Sequence, residues 1–143
     1  MIRMLRRVAC LFLLLAGASA VPAHAQTRTG KVYTVVERAP EFPGGSAALS
    51  NYLAQHIRYP NSLLRKNAGT GPVSARFIID ETGQVSDVRV LTKPIDKSIR
   101  RGMEEYMATI ITAVEKMPRW RPGEVNQQPV PVFYTLPIEI SVK

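Results

Sequence analysis

Residues 130–142 read Val-Pro-Val-Phe-Tyr-Thr-Leu-Pro-Ile-Glu-Ile-Ser-Val, and two patterns are superposed on them. Val132, Tyr134, Leu136, Ile138, Ile140 and Val142 recur at every second position, the spacing of a strand with one face in a core. The interleaved set is Pro131, Phe133, Thr135, Pro137, Glu139 and Ser141; it holds both prolines, and Pro129 upstream has the same parity. In extended chain the N–H and C=O groups of alternate residues point to the same lateral edge. The missing donors therefore fall on one edge, and the even-numbered residues keep a complete ladder toward the other. A strand that carries proline belongs at the edge of a sheet. The sequence thus predicts a final strand paired through its even residues and open along its odd ones. Such an edge is either defended against other chains or used to bind them. The prolines suit defence, while Phe133 to Thr135 keep the donors that a guest strand needs.

The rest of the chain supplies partners for that strand. Pro40 to Gly45 is a turn-rich connector. Ser46 is placed to cap a helix over Ala47–Ile57, with Leu49, Tyr52, Leu53 and Ile57 as its apolar stripe. Pro60 stops it and holds Tyr59 extended. Asn61 is placed to cap a short helix over Ser62–Asn67, with Gly69 as its stop. A strand over Val73–Asp80, with Val73, Ala75, Phe77 and Ile79 on one face, turns at Glu81-Thr82-Gly83. It returns as Gln84–Leu91, where Val88 and Val90 share a face. Asp80 and Glu81 fall on that turn, where solvation is the default. A longer helix, capped by Asp96 or Ser98 and stopped by Pro118, carries the stripe Ile99, Met103, Met107, Ile110, Val114 and Met117. Gly102 inside it predicts loose first turns. A polar loop after Arg119–Gly123 leads into the final strand. One α+β arrangement satisfies every stripe: a three-stranded antiparallel sheet with helices on one face, the final strand lying beside Val73–Asp80. Upstream, Val32–Val36 either pairs as a peripheral strand or stays loose.

Composition narrows the setting. The chain has 143 residues, enough for one domain, and opens on a basic Met1–Arg7 followed by the apolar run Val8–Ala20 and the small-x-small signal Ala23-His24-Ala25. This has the form of a secretory signal peptide over residues 1–25, cleaved after Ala25 or, second, after Ala20; an uncleaved membrane anchor is the alternative. The only cysteine, Cys10, lies within that run, so the exported chain is expected to hold no disulfide, zinc-thiolate site or cysteine nucleophile. Loss of Arg3, Arg6 and Arg7 with the leader lowers the formal charge from +8 to +5. The remaining cations are scattered, which argues against nucleic acid. His56 is the one histidine left, no paired-His metal spacing exists, and Glu104-Glu105 are adjacent on a helix and do not face each other. The residues nominate no catalytic group, metal or cofactor. Trp120 is read as an anchor covering one end of the sheet, with ligand stacking as the competing role.

Several short motifs follow one another in a fixed order: Glu41-Phe42-Pro43-Gly44-Gly45, Arg58-Tyr59-Pro60, Gly71-Pro72-Val73, Phe77 to Val85, Met117-Pro118-Arg119-Trp120-Arg121-Pro122-Gly123, and Tyr134-Thr135-Leu136-Pro137-Ile138. Each is weak alone. The ordered set, from about Val35 to Ile140, resembles the C-terminal domain of TonB energy transducers, in the version that begins Phe-Pro-Gly-Gly. The resemblance implies a periplasmic domain, here residues 46–143 after a linker over 26–45. It would bind an extended segment of an outer-membrane receptor by strand addition, in energy-coupled transport. Carried onto this chain, it implies that Tyr59, Pro60, Val132, Phe133, Tyr134, Thr135, Leu136 and Ile138 contact the partner. The family pattern also has a membrane-spanning anchor and a long proline- and charge-rich spacer. Here Gln26–Gly45 reach at most ~70 Å even fully extended. Receptor or peptide binding is therefore expected in preference to force transmission from an inner-membrane motor. The alternative is a structural or assembly module that self-associates, as a homodimer, through the same edge.

Overall fold

The structure, a computed structural model, describes residues 30–66 and 69–139. The expected signal peptide, and Ile140 and Val142 of the terminal alternation, lie outside the described residues. The order of elements is α1 (Gly45–His56), α2 (Asn61–Arg65), β1 (Val73–Ile79), β2 (Val85–Thr92), α3 (Arg100–Glu115), β3 (Gly123–Val125), β4 (Gln128–Val130) and β5 (Val132–Ile138). β1 is the middle strand of a three-stranded antiparallel sheet ordered β2-β1-β5. The fold is α+β with the helices on one face of that sheet, as the apolar stripes require. Val73, Ala75, Phe77 and Ile79 point into the core, and the alternate residues of β1 face outward.

Two local features depart from the sequence reading of the strands. The polar loop before the final strand is a β3–β4 hairpin, turned by Asn126 and Gln127 with positive φ at both positions. That is a two-residue turn of the kind that matches strand twist. Its signature was muted because glutamine occupies the second position instead of glycine. In β2, Asp87 adopts φ 50°, and the register with β1 shifts between Arg76 and Ile78. This bulge lets Val85, Val88 and Val90 all pack on the core, although strict alternation would send one of them outward.

The helix ends also differ. Gly44, at φ 84°, takes the position before α1, so Ser46 lies within the first turn and is not its cap. Pro60 precedes α2 and Asn61 is its first residue; Ile99 precedes α3. Asp96 instead accepts a 2.7 Å hydrogen bond from the Ser98 amide, closing a tight turn ahead of the helix. At α1 and α2 the backbone geometry of glycine and proline sets the start that a polar side chain was expected to set. Gly102 is not a loose point. It is buried, and a Cβ there would lie 2.7 Å from the Leu63 side chain, so its lack of a side chain lets α2 and α3 approach closely.

The core runs from Leu63, Met103, Tyr106, Ile110 and Val114 on the helices to Phe77 and Ile79 on β1. Tyr52 joins α1 to α3 through a 2.9 Å bond from its hydroxyl to the Ala113 carbonyl. At the other end Trp120 is buried among rings: Phe42 meets it edge-on at 5.5 Å, Tyr134 lies at 5.0 Å and Phe77 at 5.9 Å. Its anchoring position leaves no face for a stacked ligand. The β1–β2 turn is locked beneath it. Asp80, buried rather than solvated, accepts bonds at one carboxylate oxygen from the Thr82 amide and hydroxyl and from the Gln84 amide.

Gly83 has φ 84°, donates its amide to the Asp80 carbonyl and accepts from the Trp120 amide at 2.9 Å. A Cβ at this site would stand 1.9 Å from the Trp120 carbonyl oxygen, a backbone atom that cannot swing aside. Gly83→Ala is therefore expected to cost more than the ~1–2 kcal/mol of left-handed backbone alone, read as a lowered midpoint in urea. A second expectation concerns alkali. Burial, and secondarily the neighbouring Tyr59, pushes the Tyr106 phenol from 10.0 up to about 12. The folded state then holds this proton more tightly than the unfolded chain. The associated stability is whole below about pH 10 and is lost as pH rises through about 12. Tyr106→Phe should flatten the decline of stability across that window, measured by urea unfolding at stepped pH.

Candidate strand-binding edge

β5 pairs with β1 along its whole length, from Val73 opposite Ile138 to Ile79 opposite Val132, and among the described residues no strand flanks it on its other side within the sheet. The direction of its free groups is fixed by one contact: the Phe133 amide donates outward, to the Tyr33 carbonyl at 2.9 Å, while the Tyr33 amide donates to the Pro131 carbonyl. Odd-numbered groups thus point away from β1, and Pro137 faces the same way, where its missing donor costs the ladder nothing. Leu136 and Ile138 are buried in the core beneath the helices, and Val132 is buried beside Gly123.

The edge is shorter than the sequence implied. Tyr33 makes a single parallel bridge with Val132, so the β-rich segment Val32–Val36 is neither a full strand nor loose. From there the chain continues as a strap, pairing Arg38 with Glu124 and Glu41 with Arg121, each supported by an ion pair between the same residues. These pairs are exposed and contribute little energy; their role is to set direction. The open portion of the edge begins after Phe133. It comprises the N–H and C=O of Thr135, the C=O of Pro137 and the backbone of Glu139.

Two surfaces flank this open portion. On the helix side a groove of about 730 Å³ runs between α1 and β5, with Leu49, Leu53 and Ile57 on one wall and Tyr134, Leu136 and Ile138 on the other. On the helix-free side the Arg76 guanidinium leans across β5, 4.4 Å from the centre of the Phe133 ring. Arg76 stands directly opposite Arg89 in the β1–β2 register, and Asp87 is paired with Arg89 at 3.1 Å.

The sequence-predicted residues divide among these features. Tyr134, Leu136 and Ile138 line the groove, and Thr135 carries the free backbone between them. Tyr59 is half-buried against Tyr106, and it lines a 340 Å³ cavity with Pro137, Ile138 and Glu139 at the far end of the open edge. Val132 and Phe133 sit under the Tyr33 bridge, and Pro60 is buried at the start of α2, lining neither cavity. Tyr33, Arg76 and the exposed α1 residues at the groove rim, Ser50 and Ala54, escaped sequence reasoning. The β-rich run around Tyr33 was a signal for the first; the others depend on tertiary placement. His56 is exposed, stacked on Tyr52 at 4.0 Å with Nδ1 2.8 Å from the Tyr52 carbonyl oxygen. Among the described residues no cluster of three or more His, Cys, Asp or Glu side chains is placed to hold a metal, and no helix is long and apolar enough to cross a membrane.

No protein-family model matches the chain, and no curated protein matches it. Among solved structures it is similar to the solution structure of the Helicobacter pylori TonB C-terminal domain, residues 179–285 of that protein, at 17% identity over 71% of this chain and 89% of that one, with a TM-score of 0.39. Similarity at that level does not establish family or function.

Proposed function

We propose that this chain is an exported, TonB-like binding domain that takes up an extended segment of an outer-membrane receptor as a fourth strand on β5. The observation that carries the reading is the run of outward-facing backbone groups from Thr135 to Glu139 along β5, an edge strand of the sheet with an apolar groove beside it. The ordered motifs from Glu41 to Ile138 support the same partner class. In this reading residues 1–25 form a cleaved leader and the binding domain follows a short linker. The pairings at Tyr33, Arg38 and Glu41 hold the middle of that linker against the folded body. Binding is by main-chain hydrogen bonds and needs no covalent step, cofactor or metal. Each bond contributes ~0.5–1.5 kcal/mol net, and few groups are free, so affinity is modest and exchange is fast.

The test is Thr135→Pro. It removes the outward N–H at the centre of the open edge, at a position with the same parity as Pro137, so the β1 ladder is untouched. Titration calorimetry with a peptide from the exposed segment of a candidate receptor should show affinity reduced about tenfold, the equivalent of ~1.4 kcal/mol, with an unchanged melting temperature. Equal affinity for the two proteins would remove strand addition as the mode of binding.

A further inference from the structure

We infer that the guest strand is one whose alternate side chains are apolar and whose interleaved side chains include an acid, because the two flanks of the β5 edge have different chemistry. The inference rests on the strand-addition reading above and specifies its ligand. A fourth strand continues the alternation of the sheet, so its side chains point by turns to the helix side and to the bare side.

On the helix side they enter the groove between α1 and β5. α1 is tied to α3 through Tyr52 and Ala113, which leaves Leu49, Leu53 and Ile57 facing the edge with no strand beneath their outer flank. Tyr134 and Leu53 are only partly covered, and the groove continues directly from the open backbone groups. Its 730 Å³ accommodates several branched aliphatic side chains. Filling it removes apolar surface from water on both partners.

On the bare side the charges decide. Arg76 and Arg89 stand opposite each other on neighbouring strands, an arrangement that is destabilising by itself. Asp87 is paired with Arg89, and the Arg76 guanidinium lies over the Phe133 ring, at the head of the open portion of the edge. A guest strand lies ~4.8 Å beyond β5, so a carboxylate on its bare side beside Thr135 comes within reach of that guanidinium. A second copy of this chain fits the groove less well. Its own β5 would present Leu136 and Ile138, which are already buried in its own core.

Three capped octapeptides test this with the full exported chain, by fluorescence anisotropy: alternating valine and glutamate, the same with serine for valine, and the same with glutamine for glutamate. The valine–glutamate peptide should bind tightest. Serine for valine should weaken it by about tenfold or more. Glutamine for glutamate should weaken it several-fold and remove most of the salt dependence. Ala54→Glu, on the exposed rim of the groove, should abolish the preference for valine, and Arg76→Gln the preference for glutamate, each with an unchanged far-ultraviolet dichroism spectrum. If the valine and serine peptides bind equally, while Thr135→Pro weakens both, the inference about side chains is overturned and strand addition stands. If Thr135→Pro weakens neither, strand addition itself falls. Absence of binding at millimolar peptide overturns the inference, as does sedimentation showing a β5-mediated dimer that excludes the peptide.

Discussion

The hydrogen-bonding parity of β5 governs the rest. Its even-numbered groups complete the sheet with β1, and its odd-numbered groups face outward, where Pro137 can stand because no donor is wanted there. Shifting the strand by one residue would expose Leu136 and Ile138 and bring the nitrogen of Pro137 against β1, where a hydrogen-bond donor is required. The register is therefore held twice, by apolar burial and by the proline. The consequence is a chemically specified border at β5 that no other strand among the described residues fills. Tyr33 covers only the beginning of it.

What holds that border in place gathers at the beginning of β5. Trp120, Phe42, Phe77 and Tyr134 form a ring cluster that joins the connector before α1, the middle strand and β5. Beneath it the β1–β2 turn is fixed by Asp80 and Gly83, with the Gly83 carbonyl receiving the Trp120 amide. The strap from Tyr33 to Glu41 then runs past β3, so that Phe42 enters the cluster from a defined direction. β5 is rigid at its start, where these contacts converge, and leaves its outward groups free only toward its end. A preformed edge of this kind spares a guest the cost of ordering the host.

Much of this was legible in the sequence for physical reasons. Alternation with a period of two marked β1 and β5, the parity of the prolines marked the outer edge, and recurrence at three and four marked the helices. The failures are equally specific. Gly44 and Pro60 set helix starts through backbone geometry, which outweighed the capping potential of Ser46 and Asn61. The β3–β4 hairpin turns on Asn126 and Gln127 without the glycine that usually signals it. The Asp87 bulge is invisible to a periodic template, because it is a break in period. The groove and the lean of Arg76 depend on where α1 and β2 lie relative to β5, and neighbours distant in sequence leave no local trace. Tyr33 shortened the open edge for the same reason: one residue pairing across a hundred positions has no pattern of its own.

The central claim, that β5 presents alternate backbone groups to solvent and the others to β1, is accessible to amide hydrogen exchange of the unliganded protein followed by nuclear magnetic resonance. The Tyr134, Leu136 and Ile138 amides should exchange slowly, the Phe133 amide at an intermediate rate set by the Tyr33 bridge, and the Thr135 amide orders of magnitude faster than its two neighbours. Protection of Thr135 equal to that of Tyr134 and Leu136 would mean that the outer edge is already occupied, and the account would be contradicted.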